Sequence, residues 1–221
     1  MCGRFALGYQ VEDVAEYFGV AAPLYFEARC NIAPSQKIPA IILNDKRQRE
    51  LRMFRWGLIP SWAKSPSIGS RLINARAETV AEKPAFRSAF KHRRCLIPVS
   101  GFYEWMREGN RKHPYLIQMR DSGIFAFAGL WERWEHEGEV IESCTILTTT
   151  ANDLVQRIHE RMPVILEPEN YTAWLDTGDS PAEALQTLLR PFPSDRMEMR
   201  PVSDAVNNPR NDSLECLAHP E

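Results

Sequence analysis

The 221-residue chain reads as an α+β protein, a mostly antiparallel, barrel-like sheet with helices at its periphery. Three observations predict this class. Strand-like runs follow one another through the middle of the chain without the alternating crossover helices that a doubly wound parallel sheet requires. Helical patterns sit mainly at the margins. The composition is that of an ordinary globular protein, 44% hydrophobic and 25% charged, which excludes a disordered, collagenous or coiled-coil chain. No linker, internal repeat or low-complexity stretch interrupts it. At roughly 100–200 residues per domain, residues 1–221 are expected to form one domain.

The elements follow from periodicity and punctuation. Val11, Val14, Ala15 and Phe18 fall on one helical face, so Val11 to Phe18 is a short amphipathic helix. Lys37 to Leu43 and Leu51 to Gly57 read as strands joined by the polar turn Asn44 to Arg49. Trp56 to Gly69, with its prolines and serines, reads as a surface loop. Ala77 to Lys91 has helical character interrupted near Pro84. Cys95 to Val99 is a strand. Tyr103 to Arg107 and Tyr115 to Met119 form a hairpin around Glu108-Gly109-Asn110-Arg111, with Pro114 at the start of the second strand. Ile124 to Trp131 and Ser143 to Thr150 are rich in β-formers. Asn152 to His159 reads as a short helix with Asn152 as its N-cap. Tyr171 to Leu175 and Pro181 to Leu189 are further helices, the second with Pro181 in its first turn.

Composition also bounds function. No apolar run approaches the ~18 residues needed to span a bilayer, and the segment after Met1 lacks the apolar core of a secretory signal. The five cysteines, Cys2, Cys30, Cys95, Cys144 and Cys216, are scattered and contain no C-x-x-C pair. That argues against a disulfide scaffold and a cysteine-rich zinc site, and for free thiols in a reducing cytoplasm. The expected partners therefore include neither a membrane nor a metal.

Charge is uneven along the chain. Lys46 to Lys112 carries 16 Lys and Arg against 5 Asp and Glu, a net of +11, whereas the remainder carries 11 against 24, a net of −13. The basic segment is threaded with Phe54, Trp56, Trp62, Phe86, Phe90, Tyr103 and Trp105. Cations interleaved with flat apolar faces suit single-stranded nucleic acid, whose phosphates need charge and whose unstacked bases need aromatic surfaces. Charges that intermix over the folded surface, and aromatics that form core, are the alternative.

Cys2 directly follows the initiator methionine, and a small second residue favours methionine removal. A chain beginning at Cys2 presents an α-amine and a thiol on adjacent carbons. The amine, with a pKa of about 7.7–8.0, is partly neutral near pH 7. It can condense with an aldehyde to an imine, and the thiol can then close a five-membered thiazolidine. Alternatively the thiol attacks an amide with the α-amine as base, as in N-terminal nucleophile hydrolases. Cysteine at this position is otherwise simply a small residue. Asn74, in Ile73-Asn74-Ala75-Arg76, is open to a site role or to helix capping. Glu104, between Tyr103 and Trp105, is either the exposed face of a strand or a desolvated carboxyl able to act as an acid. His159, in Ile158-His159-Glu160-Arg161, is an ordinary histidine or a proton carrier near neutrality.

The joint pattern is more specific than its parts. Met1-Cys2-Gly3-Arg4-Phe5, Asn31-Ile32-Ala33-Pro34, Trp56-Gly57-Leu58-Ile59-Pro60 and Ile73-Asn74-Ala75-Arg76-Ala77-Glu78-Thr79 come first. Gly101-Phe102-Tyr103-Glu104-Trp105, Ile158-His159-Glu160-Arg161-Met162-Pro163 and Val206-Asn207-Asn208 follow. In order, and over nearly the whole chain, these segments resemble the SOS-response-associated peptidase (SRAP) family. The resemblance implies a single SRAP domain that senses and shields abasic sites in single-stranded DNA, crosslinking through a thiazolidine on the N-terminal cysteine. By motif it makes Cys2 the nucleophile, Glu104 the acid/base for sugar ring opening, His159 the group for proton transfer and reversal, and Asn74 the residue that positions cysteine and sugar. Arg4 and Arg76 are implied to hold phosphates, and Trp105 to lie near the DNA channel. Asn31, Pro34 and Arg161, in matched motifs, are expected along the same surface. The family's tryptophan-containing loop differs here, reading Pro60-Ser61-Trp62-Ala63-Lys64-Ser65, and Trp62 is placed with it. No cofactor is implied. Replication-fork proteins are further expected partners, and the expected location is the cytoplasm, with the nucleoid. The family name records a peptidase idea, tied to exposure of the cysteine.

The chemistry accords with that implication. An abasic sugar is mostly a closed hemiacetal, so a proton must leave the hydroxyl and reach the ring oxygen before an aldehyde exists. An open imine invites β-elimination and strand cleavage, and closure by the thiol removes that electron sink. Three rivals remain: a class II glutamine amidotransferase-type hydrolase, which also begins Met-Cys-Gly, a peptidase acting on other proteins, and a non-covalent single-strand binder in which Cys2 is incidental.

Overall fold

The computed structural model describes residues 2–21, 25–178 and 182–220. In chain order its elements are β1 (Phe5–Leu7), α1 (Val11–Phe18), β2 (Arg29–Ile32), β3 (Lys37–Leu43), β4 (Arg49–Trp56), β5 (Asn74–Arg76), α2 (Arg87–His92), β6 (Arg94–Val99) and β7 (Gly101–Glu108). There follow β8 (Arg111–Met119), β9 (Phe125–His136), β10 (Glu139–Thr150), β11 (Arg161–Pro163), β12 (Ile165–Leu166), α3 (Tyr171–Leu175), α4 (Ala182–Gln186) and β13 (Met197–Pro201).

The strands form two sheets. In the larger, β10, β4, β3, β6 and β9 hydrogen-bond in that order, and β9 pairs back onto β10, which closes a five-stranded barrel. Within the barrel all pairings are antiparallel except β10 with β4, where Ser143 lies opposite Arg55, and outside it β5 also pairs parallel to β10. The expected mostly antiparallel, barrel-like α+β architecture is therefore present. The second sheet, in the order β13-β8-β7-β1-β2, is antiparallel throughout. Only Ser100 separates β6 from β7, so a single residue turns the chain from barrel to second sheet.

Aromatic packing fixes how the sheets meet. Phe5 of β1 lies with its ring centroid 5.2 Å from Trp56 and 6.1 Å from Phe127, both on barrel strands. Phe102 of β7 lies 5.8 Å from Phe127. All four are buried, and tilted or edge-on pairs of this kind contribute about 0.5–1.5 kcal/mol each beyond their burial.

Local sequence explains most elements. Helix α1 buries the expected face of Val11, Val14, Ala15 and Phe18 and ends at Gly19, whose φ of 63° is the left-handed conformation that closes helices. The hairpin turn is Gly109-Asn110, with Gly109 at φ 59°. Several expectations are corrected. Residues 77–86 form successive turns and only Arg87–His92 is helical, because Pro84 prevents a continuous helix. Pro114 lies inside β8, which begins at Arg111; its carbonyl accepts from Val202 N–H, so its nitrogen also faces away from β7 and no β7 ladder bond is lost. Asn152 does cap, accepting from Val155 N–H at 3.0 Å, but only one tight turn, Val155–Arg157, follows. The loop after Trp56 contains a further tight turn, Pro66–Arg71. The last helix spans Ala182–Gln186, and Pro181 lies outside the described residues. The short strands β1, β2, β5, β11, β12 and β13 carry too few residues to show a period.

Gly57 is required where the loop leaves β4. Its φ is 127°, and a Cβ there would stand 2.6 Å from the Gly69 carbonyl oxygen. Gly19 also has positive φ, but nothing lies within 4 Å of its would-be Cβ. Gly19→Ala should therefore cost only about 1 kcal/mol, and Gly57→Ala about 3 kcal/mol or more, since strain and a backbone clash add. Denaturant midpoints of the two variants check this; equal losses would refute the close approach.

Candidate functional site

Four of the residues singled out in the sequence, Cys2, Asn74, Glu104 and His159, come together where the second sheet meets the barrel. Cys2 lies just before β1, separated from it by Gly3 and Arg4, and is completely buried. Asn74, the first residue of β5, donates from Nδ2 to the Cys2 carbonyl at 2.8 Å. Its own position follows from the parallel pairing of β5 with β10, where Asn74 lies opposite Ile146. Asn74 Oδ1 is buried and accepts no hydrogen bond among the described residues. Glu104, on β7, is 4% exposed. His159 follows the Val155–Arg157 turn; its Nδ1 lies 3.0 Å from the Arg161 backbone nitrogen and 3.2 Å from the Arg161 carbonyl oxygen.

Electrostatics bind these groups into one unit. Burial pushes the Glu104 carboxyl above the usual carboxylate range, and neighbouring positive charge partly opposes it. Burial, and then the negative charge of Glu104, push the Cys2 thiol well above the ordinary thiol range. The thiol therefore stays protonated near neutrality, its Sγ 3.8 Å from the Arg4 carbonyl. Arg4, Glu104, Trp105, His159 and Asn207 line a groove of about 650 Å³.

The C-terminal segment builds the groove's rim. Arg4 Nη1 donates to Asn31 Oδ1 at 2.8 Å and to the Val206 carbonyl at 2.7 Å, while its guanidinium lies 5.7 Å from the Trp105 ring centroid. Trp105 Nε1 donates to Asn207 Oδ1 at 2.7 Å. Asn31 is fully buried, and its Nδ2 donates to the carbonyls of Val206, Asn208 and Asn211. Asp212 accepts from the backbone N–H groups of Cys30 and Asn31 at 2.8 Å and pairs with Arg29.

Two residues expected on the DNA surface turn inward instead. Asn31 faces carbonyls beneath the groove, because acceptors of the 206–211 segment take its amide donors. Arg161 forms a two-point pair with Glu78, at 2.6 and 3.0 Å, and donates to the Thr148 carbonyl at 2.6 Å, so its guanidinium is committed to tying the turn after β5 to β10. Arg76 is exposed and shares the face of β5 with Asn74, two residues away. Pro34 is half-buried in a turn and Trp62 is 60% exposed in its loop; neither lines the groove. Sequence reasoning missed Asn207, Asp212 and Glu78 as supports. Asn207 and Glu78 lay within quoted motifs, but nothing local said what they would touch.

All five cysteines are free and buried. Among the described residues, no cluster of three His, Cys, Asp or Glu side chains is placed to hold a metal ion, and no helix is long and apolar enough to cross a membrane.

A buried second-residue cysteine, an acid and a histidine beside a groove set this end of the chain apart as the candidate site. The comparisons identify the family. The profile of the SOS response associated peptidase (SRAP) family matches residues 1–209. The chain is 46% identical to the abasic site processing protein YoqW of Bacillus subtilis, over 98% of this chain and 99% of that one. It is 31% identical to the abasic site processing protein YedK of Escherichia coli over 98% and 99%. A crystal structure of a protein from Bacteroides thetaiotaomicron superposes with a TM-score of 0.88 at 31% identity, covering 97% of this chain and 98% of that one. The chain belongs to the SRAP family.

Asn31→Ala should cost about 1–3 kcal/mol, as buried carbonyls lose their donor, and should expose amides of residues 203–212 to hydrogen exchange. Unchanged exchange there would refute its support role. Glu104 supplies a pH signature. Its folded pKa is raised, so its contribution to stability is full below the unfolded value of about 4.3 and is lost as pH rises through the folded value. The stability of the wild type relative to Glu104→Gln should therefore decline with rising pH above the ordinary carboxylate range. Parallel stability curves from pH 4 upward would show that the carboxyl is not desolvated.

Proposed function

We propose that this protein processes abasic sites in single-stranded DNA, with Cys2, exposed by removal of Met1, forming a thiazolidine with the ring-opened sugar. The observation that carries the reading is the Cys2, Asn74, Glu104 and His159 cluster beside a groove flanked by Arg4 and Trp105. The high pKa of Glu104 lets it hold a proton closer to neutral pH, as an acid for the sugar ring oxygen must. His159, held at Nδ1 by the Arg161 backbone, takes the proton-transfer role. The Cys2 amine adds to the aldehyde carbon, water leaves, and an imine forms. The thiol sulfur then bonds to that carbon while its proton passes to the nitrogen, so the net reaction releases one water. Asn74 holds the Cys2 carbonyl through Nδ2, and its unpartnered Oδ1 is suited to orient the amine or a sugar hydroxyl. Such an oriented pair carries the entropic advantage of intramolecular reaction.

The state of the thiol favours this order of events over amide hydrolysis. A cysteine hydrolase needs a thiolate at the start, whereas the Cys2 thiol is pushed upward by burial and by Glu104. In the crosslinking sequence the amine attacks first and the thiol reacts within an assembled adduct. Single strands suit the groove because no opposing strand covers the lesion. The reading puts the protein in the cytoplasm with the nucleoid, near replication-fork proteins.

Incubation with an abasic oligonucleotide should give a band that survives denaturation and boiling, absent for Cys2→Ala. An adduct mass equal to protein without Met1 plus DNA minus one water identifies the linkage. Complete release of the wild-type protein on denaturation would leave only non-covalent binding.

A further inference from the structure

The β7–β8 hairpin carries a charge arrangement that folding alone does not explain. Arg107 and Lys112 are directly opposed in its antiparallel register. Like charges facing each other across two strands weaken their pairing. The next pair outward, Glu108 with Arg111, is of opposite sign, and the Glu108 carboxylate lies 3.6 Å from His113 Nε2. Strand alternation sends Glu108, Arg111 and His113 to the face opposite Arg107 and Lys112. The hairpin's own carboxylate therefore does not offset the like-charged pair.

That pair faces the functional groove. Arg107, Lys112 and Asn110 at the turn line the same cavity as Glu104, Trp105 and His159. Arg107 stands two residues beyond Trp105 on the same strand face, and at about 3.4 Å per residue it is roughly 10 Å along the strand from Glu104. It is too far to touch a sugar reacting at Glu104 and well placed for the backbone beside it. Both side chains are exposed, so an anion can reach them. A phosphate between the two converts their repulsion into shared attraction, with the planar guanidinium giving a two-point contact and the ammonium a point charge.

We propose that Arg107 and Lys112 form a clamp for a phosphate flanking the lesion, which makes the substrate class an abasic sugar internal to a strand rather than a free or terminal one. This rests on the abasic-site reading above. The test uses the full chain and the double variant Arg107→Gln/Lys112→Gln, with three readouts: salt dependence of binding to an undamaged single-stranded oligonucleotide, thermal midpoint, and crosslinking rates for an internal against a terminal abasic site. The variant should lose about 1.4 from the slope of log affinity against log salt, two contacts at about 0.7 each. Its preference for the internal site should fall toward one, and its midpoint should hold or rise because a repulsion is gone. Lys112→Gln alone should remove about half the slope change, and serves if the double variant misfolds. An unchanged slope and preference would overturn the clamp, and so would a lowered midpoint with an unchanged slope. Failure of the wild type to form any adduct, with its salt slope intact, would instead overturn the abasic-site reading.

Discussion

The structure depends on holding down the first residues of the chain. Chain termini ordinarily fray, yet the groups that carry the proposed chemistry sit at the extreme N-terminal end. Phe5 solves this. It is wedged against Trp56 and Phe127 of the barrel while its strand pairs with β2 on one side and β7 on the other. Three residues of strand make few contacts of their own, so this aromatic packing and the pairing on both edges together anchor them. With Phe5 fixed, Cys2 and Arg4 have defined places, and β7 delivers Glu104 beside them.

The other end of the chain completes the same region. Asn31 and Asp212 tie the 206–212 segment to β2 through side-chain bonds to backbone groups. That segment in turn offers the Val206 carbonyl to Arg4 and the Asn207 amide to Trp105. A guanidinium and an indole held this way lose little further freedom on binding a ligand, which is the advantage of preorganisation. Arg161 plays the matching part on the barrel side, joining Glu78 to β10 next to Asn74 and His159.

Burial sets the chemistry of the cluster. Exposed, Glu104 and Cys2 would be an ordinary carboxylate and an ordinary thiol. Covered by two sheets, both are shifted toward the protonated form, and the charge of Glu104 adds to the upward shift of Cys2. An acid shifted upward and a protonated thiol suit the proposed condensation with a carbonyl better than thiolate attack on an amide. The surrounding basic groove supplies what the cluster lacks, an attraction for a polyanion.

The sequence by itself determined the fold class, the amphipathic helix α1, the strand pair β3–β4, the hairpin β7–β8 and the family, because these are written in local periodicity, turn residues and ordered motifs. It also singled out Cys2, Asn74, Glu104 and His159, whose residue types in those motifs imply a chemistry. Only the tertiary structure decided that Asn31 and Arg161 face inward, since their targets lie far along the chain, at Val206 to Asn211 and at Glu78. It likewise decided the closure of the barrel, the very short strands and the upward pKa shifts of the buried pair. Those features depend on contacts between distant segments and on how much water is excluded, and neither is encoded in the run of neighbouring residues.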